Sequence, residues 1–253
     1  MKKLTNALLV AVLVSCNQQK NETSSISKEN ISQSETTLST TANQLRGNWI
    51  SKPYIDHIKK SKAVYPYRKA AVPLFIQLDK NELLSGAATL KGFTDHEGGY
   101  DVKLTFDESK KEFIINGTSN DPTYNDFSGI QPNGENLEMI YKNKTDLYER
   151  FDGDIQKELR KILFEGNYTD KNSSTSISFS KDGKVNFKDY TAYQVIYDFA
   201  DGTQNFDGIL LERESLKDLY RFTITGNTLE LQKMKESEES FKPEGEKYIL
   251  IKK

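Results

Sequence analysis

The sequence contains few of the cysteine and histidine residues that often act as catalytic groups or metal ligands. Among 253 residues it has one cysteine, Cys16, one tryptophan and two histidines. A single cysteine excludes an internal disulfide and a cysteine-based metal site. No apolar run approaches the ~20 residues of a membrane-spanning helix, and no block of lysine and arginine is dense enough to indicate a nucleic-acid surface. We therefore expect no cofactor and no nucleic-acid partner, and a fold that depends on a packed core.

Local catalytic motifs are also missing. The sequence has no H-E-x-x-H, G-x-S-x-G or Walker motif. His96 stands in a polar turn between two acidic residues, and the segment Asp201–Gly208 has Phe206 where a calcium loop requires glycine. We predict no catalytic and no metal-binding residues. A hydrolase whose acidic side chains meet only in the folded chain is the weakest of three functional alternatives.

The amino-terminal segment has the order of a secretory signal. Two lysines precede the apolar run Leu8–Val14, and the small Ser15 stands before Cys16. Leu13-Val14-Ser15-Cys16 resembles the bacterial lipobox, in which the cysteine thiol receives a lipid. This resemblance implies that residues 1–16 are a lipoprotein signal ending at the attachment site. The protein would then be anchored in the outer membrane or elsewhere in the cell envelope, and the side that it faces stays open.

The segment that follows Cys16 is poor in apolar residues. Residues 17–44 contain no aromatic side chain and are rich in serine, threonine, asparagine and glutamine. Such a composition buries too little surface to offset the entropy of ordering the chain. We predict a disordered tether that spans ~30 Å, followed by a folded region over residues 45–253.

Alternating apolar and polar residues dominate the folded region. Asp182-Gly183 and Gly226-Asn227 each separate two alternating runs, which predicts hairpins. Short strands with a turn every ~8–12 residues favour an antiparallel meander, and we predict an all-β fold with calycin-like barrels. The predicted strands include Leu74–Leu78, Tyr100–Phe106, Glu112–Gly117, Asn136–Lys142, Ser176–Ser180, Val185–Tyr190, Tyr193–Phe199, Leu219–Ile224 and Leu229–Met234.

Two segments have helical spacing. Tyr54–Ser61 follows a proline that suits a first helical turn, and Asp154–Phe164 places its apolar residues on one face, with an aspartate as cap. The second helix would join two halves, residues 45–152 and 163–253. One continuous sheet and two tandem barrels both remain possible at this point.

The opening of each half carries a resemblance. Gly47-Asn48-Trp49 resembles the G-x-W opening of the lipocalins and their calycin relatives. In that family the tryptophan closes one end of the barrel and an arginine from a late strand stacks on it, which implies this role for Arg150. Gly166-Asn167-Tyr168 resembles a second copy. The whole chain resembles lipocalin-like lipoproteins of the Bacteroidota.

Aromatic side chains are the most promising ligand contacts, because they combine apolar rings with polar groups. The candidates are Trp49, Tyr65, Tyr67, Arg68, Tyr193 and Tyr197. Our leading hypothesis is a non-enzymatic binding module for a small apolar ligand or a glycan. The alternative is a protein-interaction or structural lipoprotein with a filled core and no ligand. A search for a pocket of ~300 Å³ or more separates the two. The sequence leaves the oligomeric state open.

Overall fold

The computed structural model describes residues 36–68, 73–93, 99–116, 124, 126–199, 204–238 and 240–253. The predictions for Cys16, for the signal segment 1–16 and for His96 lie outside these residues. Most of the described chain is β-structure, and the predicted all-β class is confirmed.

The first half forms one closed antiparallel barrel of eight strands in sequence order, barrel 1. The barrel closes where the first strand pairs with the eighth, with Trp49 opposite Arg150. Its strands are β1 (Gly47–Ser51), β2 (Phe75–Leu78), β3 (Ala87–Phe93), β4 (Gly99–Asp107), β5 (Glu112–Ile115), β6 (Phe127–Asn133), β7 (Asn136–Tyr141) and β8 (Thr145–Phe151).

The second half forms another closed eight-stranded meander, barrel 2, so the chain builds two barrels and not one continuous sheet. The ninth and sixteenth strands pair to close it, with Tyr168 opposite Lys252. Its strands are β9 (Gly166–Asp170), β10 (Ser176–Phe179), β11 (Lys184–Phe187), β12 (Tyr190–Val195), β13 (Gly208–Arg213), β14 (Leu216–Thr225), β15 (Thr228–Ser237) and β16 (Ser240–Lys252). We call the end at which each first strand begins the closed end, and the opposite end the mouth.

Short helices connect and precede the barrels. The described helices are α1 (residues 36–45), α2 (Lys52–Ser61), α3 (Lys80–Leu84) and α4 (Ile155–Leu163), with a 3₁₀ turn at Tyr65–Tyr67. Both helices predicted from spacing are present. Asp154 caps α4 by accepting a hydrogen bond from the Lys157 amide at 2.7 Å. None of the helices in the described ranges has the length and apolar character to cross a membrane.

Helix α1 corrects the prediction of a disordered tether over residues 17–44. Residues 17–35 lie outside the described part, but residues 36–44 are helical. Ala42 and Leu45 are fully buried against barrel 1, and Leu38 packs on the same cluster. This packing orders a segment whose composition alone would not form a stable helix, since most helical stability in proteins comes from burying one face.

The predicted strand Tyr193–Phe199 is wrong at both ends. β12 begins at Tyr190 and ends at Val195. The Gln156 side chain of α4 forms hydrogen bonds with both backbone groups of Val195. It donates to the Val195 carbonyl at 2.7 Å and accepts from the Val195 amide at 2.9 Å. These contacts occupy the groups that would continue the sheet, so Tyr197 lies beyond the strand.

Large apolar side chains fill the parts of both barrels that the structure describes. In barrel 1 they form one buried cluster, and in barrel 2 aromatic rings contact one another in the interior. Phe164, just after α4, lies within 5.7 Å of Phe179 and Tyr193 and 4.9 Å from Phe222, measured between ring centres. The interior of barrel 2 is therefore a packed core.

The two halves share a hydrophobic interface. Ile50 on the outside of barrel 1 and Ile55 and Ile58 on α2 belong to the same buried cluster as the core of barrel 2. Asp207 of barrel 2 accepts hydrogen bonds at one carboxylate oxygen from the amides of Val64 and Tyr65, at 2.5 and 2.7 Å. The barrels are thus joined by apolar packing and by the half-buried carboxylate of Asp207.

Candidate functional site

The closed end of barrel 1 depends on two side chains, Trp49 and Arg150. Trp49 is buried and donates from Nε1 to the carbonyl of Leu45 at 2.7 Å. The Arg150 guanidinium lies 4.2 Å from the centre of the Trp49 ring and donates to the carbonyls of Gln44 and Arg46. The arginine that the lipocalin resemblance implies is therefore confirmed as Arg150. Together these donors satisfy carbonyls at the end of α1, which lack helical partners.

Gly47 is required by this closure. Its φ is +110°, which side chains rarely adopt, and a Cβ there would lie 3.1 Å from Nη1 of Arg150. A glycine at the first position of G-x-W therefore lets the chain turn into β1 while the guanidinium approaches the backbone.

Barrel 2 repeats the arrangement with a tyrosine and a lysine in place of the tryptophan and the arginine. Tyr168 donates from its hydroxyl to the carbonyl of Phe164 at 2.8 Å, four residues earlier, as Trp49 does to Leu45. The ammonium of Lys252 lies 5.8 Å from the Tyr168 ring centre. Burial raises the pKa of Tyr168 to about 12. The predicted second copy at residues 166–168 thus has the same structural role.

Two of the predicted ligand contacts are core residues. Trp49 lies under Arg150 at the closed end of barrel 1. Tyr193 points into barrel 2 with 1% of its surface exposed, and its hydroxyl donates to the Ser180 carbonyl at 2.9 Å. Neither side chain lines a depression among the described residues.

Three of the other candidates lie on the connection that follows α2. The Arg68 guanidinium stacks 3.9 Å from the Tyr65 ring centre, and the Tyr67 ring stacks on His57. Tyr65 also contacts Phe199 of barrel 2, edge to face at 5.1 Å. These contacts hold the connection in place against its neighbours.

Tyr197 lies at the junction of the two barrels. Its ring centre is 6.2 Å from that of Phe75 in barrel 1, and burial raises its pKa. Tyr197 and Tyr65 therefore help to join the barrels, since each contacts a ring of the other half, whereas Trp49 and Tyr193 lie apart in separate cores.

A polar groove on the outside of the closed end of barrel 1 was not predicted. Its first part, the basic depression, has a volume of about 390 Å³. Asn48 donates to the Gly153 carbonyl at 2.6 Å beside it, and the Gln77 side chain forms no hydrogen bond with other described residues. The side chains and backbone that line the basic depression are Arg46, Gly47, Asn48, Gln77, Leu78, Asp79, Lys80, Lys91 and Arg150.

The second part of the groove lies on the other side of Arg150 and has a volume of about 680 Å³. Glu149 on its wall pairs with Lys59 of α2. Amide and carboxylate side chains predominate in its lining. The lining residues are Asn43, Gln44, Gly134, Glu135, Asn136, Glu149 and Arg150. We call the two parts together the closed-end groove.

The corresponding space in barrel 2 is nearly filled. It lies between α4, the turn at Gly226-Asn227 and Lys252, and its volume is only about 60 Å³. Lys62 from the other half lines it and donates to the Ile162 carbonyl at 3.2 Å. Burial lowers the pKa of Lys62, and the charge of Lys252 lowers it further. The open groove is therefore a property of barrel 1.

The mouth of barrel 2 holds a polar network whose members partner one another. The Tyr190 hydroxyl donates to Asp218 at 2.6 Å and lies 3.2 Å from the hydroxyl of Tyr220. Lys233 and Arg213 pair with the same carboxylate at 2.9 and 3.7 Å. Burial, together with Asp218 and Tyr220, raises the pKa of Tyr190 well above its ordinary value. The charged and hydroxyl groups at this mouth are therefore already bonded to one another.

The described residues include no group of three or more His, Cys, Asp or Glu side chains placed to hold a metal ion. The two eight-stranded meanders are consistent with a calycin-like fold. Comparison of the chain with models of protein families, with curated proteins and with solved structures finds no match. The closed-end groove is therefore the candidate functional site among the described residues.

Proposed function

We propose that the chain is a non-enzymatic binding protein, tethered to the cell envelope through Cys16, that holds a polar ligand such as part of a glycan. The proposed site is the closed-end groove of barrel 1. One contrast carries the proposal: the described interiors of both barrels are packed with large side chains, whereas the groove beside Arg150 is open and polar.

The size and lining of the groove support a polar ligand. Each part falls within the ~300–1,000 Å³ of typical ligand sites. The side-chain amides of Gln77 and Asn136 offer both donors and acceptors, which match sugar hydroxyls. Trp49, the single tryptophan, lies directly under Arg150 and can report binding. Amide and charged side chains stand beside apolar surface in this groove, a mixture that suits a sugar better than a wholly apolar ligand, so of the two ligand classes expected from the sequence we favour the glycan.

A binding screen tests this function. Neutral and acidic oligosaccharides, sterols and fatty acids are titrated into the full-length chain in detergent, and Trp49 fluorescence is recorded. We expect oligosaccharides to change the emission, and Gln77→Ala to weaken their binding by about 5-fold. Gln194→Ala, on barrel 2, is the matched control. Binding of fatty acids or sterols alone would contradict the proposal.

A second function is favoured by the packed interiors and by the mouth of barrel 2, where the polar groups bond to one another. In this alternative the protein is a structural or protein-interaction component of the envelope and takes no small ligand. A screen in which no sugar, sterol or lipid binds, together with a specific cross-link from the barrel surface to an envelope protein, would favour it.

A further inference from the structure

We propose that the basic depression of barrel 1 binds an anionic group of its ligand, a carboxylate or sulfate ester carried by an oligosaccharide. The inference rests on the proposed function because it concerns the same groove. It adds the charge of the ligand and the residues that recognise that charge.

The charges that line the basic depression do not balance. Four cations, Arg46, Lys80, Lys91 and Arg150, face one carboxylate, Asp79. That carboxylate is engaged locally, because its Oδ1 caps α3 by accepting from the amides of Asn81 and Glu82 at 2.8 and 3.0 Å. The depression therefore has an excess of positive charge.

Three of the four cations have no acidic partner within the described ranges. Arg46, Lys80 and Lys91 form no ion pair there, whereas Lys52 and Lys144 of the same barrel pair with nearby aspartates at 2.6 Å. Unpaired cations around one concave surface raise the local positive potential and attract anions.

The excess positive charge of the depression also acts on Arg150. Burial lowers its pKa, and the positive charge of Arg46 lowers it further. Its guanidinium donates to the carbonyls of Gln44 and Arg46, and it stays on the wall of the depression. A bound anion would reduce the repulsion between the two arginines, so occupancy should be sensed at Trp49, on which Arg150 stacks.

The surroundings favour a single anionic group on a sugar over an anionic membrane surface. Gln77 lies in the same depression and can bond neighbouring hydroxyls. On the other side of Arg150, Glu135 lines the groove and would repel a continuous negative surface. The positive charge is thus confined to one part of the groove.

The experiment measures binding of defined probes to the full-length chain in detergent by Trp49 fluorescence and calorimetry. The probes are oligogalacturonate, a chondroitin sulfate oligosaccharide, a neutral malto-oligosaccharide of equal length, inorganic sulfate, and phosphatidylglycerol vesicles. The variants are Lys91→Gln and the triple change Arg46→Gln, Lys80→Gln and Lys91→Gln. Lys184→Gln, an exposed lysine of barrel 2, is the control.

We expect an acidic oligosaccharide to bind, the triple variant to weaken it by about 10-fold or more, and Lys91→Gln to weaken it by about 2–5-fold. Raising the salt concentration from ~50 to ~500 mM should also weaken it. Lys184→Gln should have no effect. Circular dichroism checks that the variants fold. If the triple variant does not fold, the salt dependence of binding to the unmodified chain still tests the inference.

The outcomes separate this inference from the proposed function. Equal binding of neutral and acidic sugars, unchanged by the triple variant, would overturn the inference and leave the glycan function standing. Binding of sulfate alone that requires the three cations would support the anion site and count against a glycan. Binding to vesicles without binding to sugars would overturn the inference, as would no binding of any anionic probe.

Discussion

The guanidinium of Arg150 lies 4.2 Å from the ring centre of Trp49, and the two residues stand opposite one another where β8 closes on β1. This pair has two functions in our account. Its hydrogen bonds to α1 seal the closed end of barrel 1, and the outer side of Arg150 forms a wall of the closed-end groove.

The first prediction concerns the stability that Arg150 provides. Arg150→Ala removes the stacking on Trp49 and the hydrogen bonds to the carbonyls of Gln44, in α1, and Arg46, just after it. We expect it to lower the free energy of unfolding by about 1–3 kcal/mol. Urea unfolding followed by Trp49 fluorescence measures the change. Arg221→Ala, at an exposed arginine of barrel 2, should change stability by less than ~0.5 kcal/mol. Equal effects of the two substitutions would refute the closing role of Arg150.

The second prediction concerns Gly47. An alanine there must adopt a φ of +110° and place its Cβ 3.1 Å from Arg150. We expect Gly47→Ala to cost about 1–3 kcal/mol. Gly134→Ala is the matched control, since Gly134 also has a positive φ, +60°, but a Cβ there would meet nothing within 4 Å. The control should cost less, because +60° lies in the left-handed region that side chains can enter.

The third prediction concerns Asp207, the half-buried carboxylate that joins the barrels. Asp207→Ala leaves the amides of Val64 and Tyr65 without an acceptor, and we expect a loss of about 1–3 kcal/mol. Asp207→Asn keeps an oxygen in the same place, so it should cost less. If both substitutions were without effect, the contact would not hold the barrels together.

The same residue predicts a dependence on pH. Burial raises the pKa of Asp207 above its ordinary 3.8, although the two amides and the charge of His57 lower it. A raised folded-state pKa means that the contribution of Asp207 is fully present below pH 3.8 and is lost as the pH rises through the folded-state value. The stability of the unmodified chain relative to Asp207→Asn should therefore fall as pH rises from ~3.8, in urea unfolding at several pH values. A relative stability that rises with pH would contradict this sign.

The fourth prediction concerns the lipid anchor. If Cys16 carries the lipid, Cys16→Ala should release the protein from membranes, because the remaining chain has no other predicted anchor. Ser15→Ala keeps a small residue before Cys16 and should leave the protein in the membrane fraction. Fractionation of cell envelopes measures both. A Cys16→Ala protein that stays with membranes and still loses its signal would exclude the lipobox interpretation.

Much of the fold could be predicted from the sequence, because alternation and turns are local signals. The hairpins around residues 182–183 and 226–227 and the helices α2 and α4 are present in the structure. Helix α1 could not be predicted, since its threonine-rich sequence favours disorder and only its packing on barrel 1 orders it. The end of β12 was missed because the side chain that stops it, Gln156, comes from another element.

The candidate site was harder to predict than the fold. Arg150 could be assigned to the closed end because the G-x-W resemblance implies such an arginine. The basic depression could not be predicted, because Arg46 is far in sequence from Lys80 and Lys91, and Arg150 joins them only when β8 pairs with β1. The aromatic pattern alone does not separate ligand contacts from core residues, because tyrosine and phenylalanine that alternate along strands also fill the core of barrel 2.

The location of a bound ligand tests the central claim most directly. Amide chemical shifts of the isotope-labelled chain are recorded during titration with the best-binding oligosaccharide of the screen. We predict that the largest changes occur at Asn48, Gln77, Lys91 and Arg150, on the walls of the closed-end groove. Changes confined to residues inside either barrel, such as Met139 or Tyr193, or to the mouth of barrel 2, would show that the ligand lies elsewhere and would contradict the account.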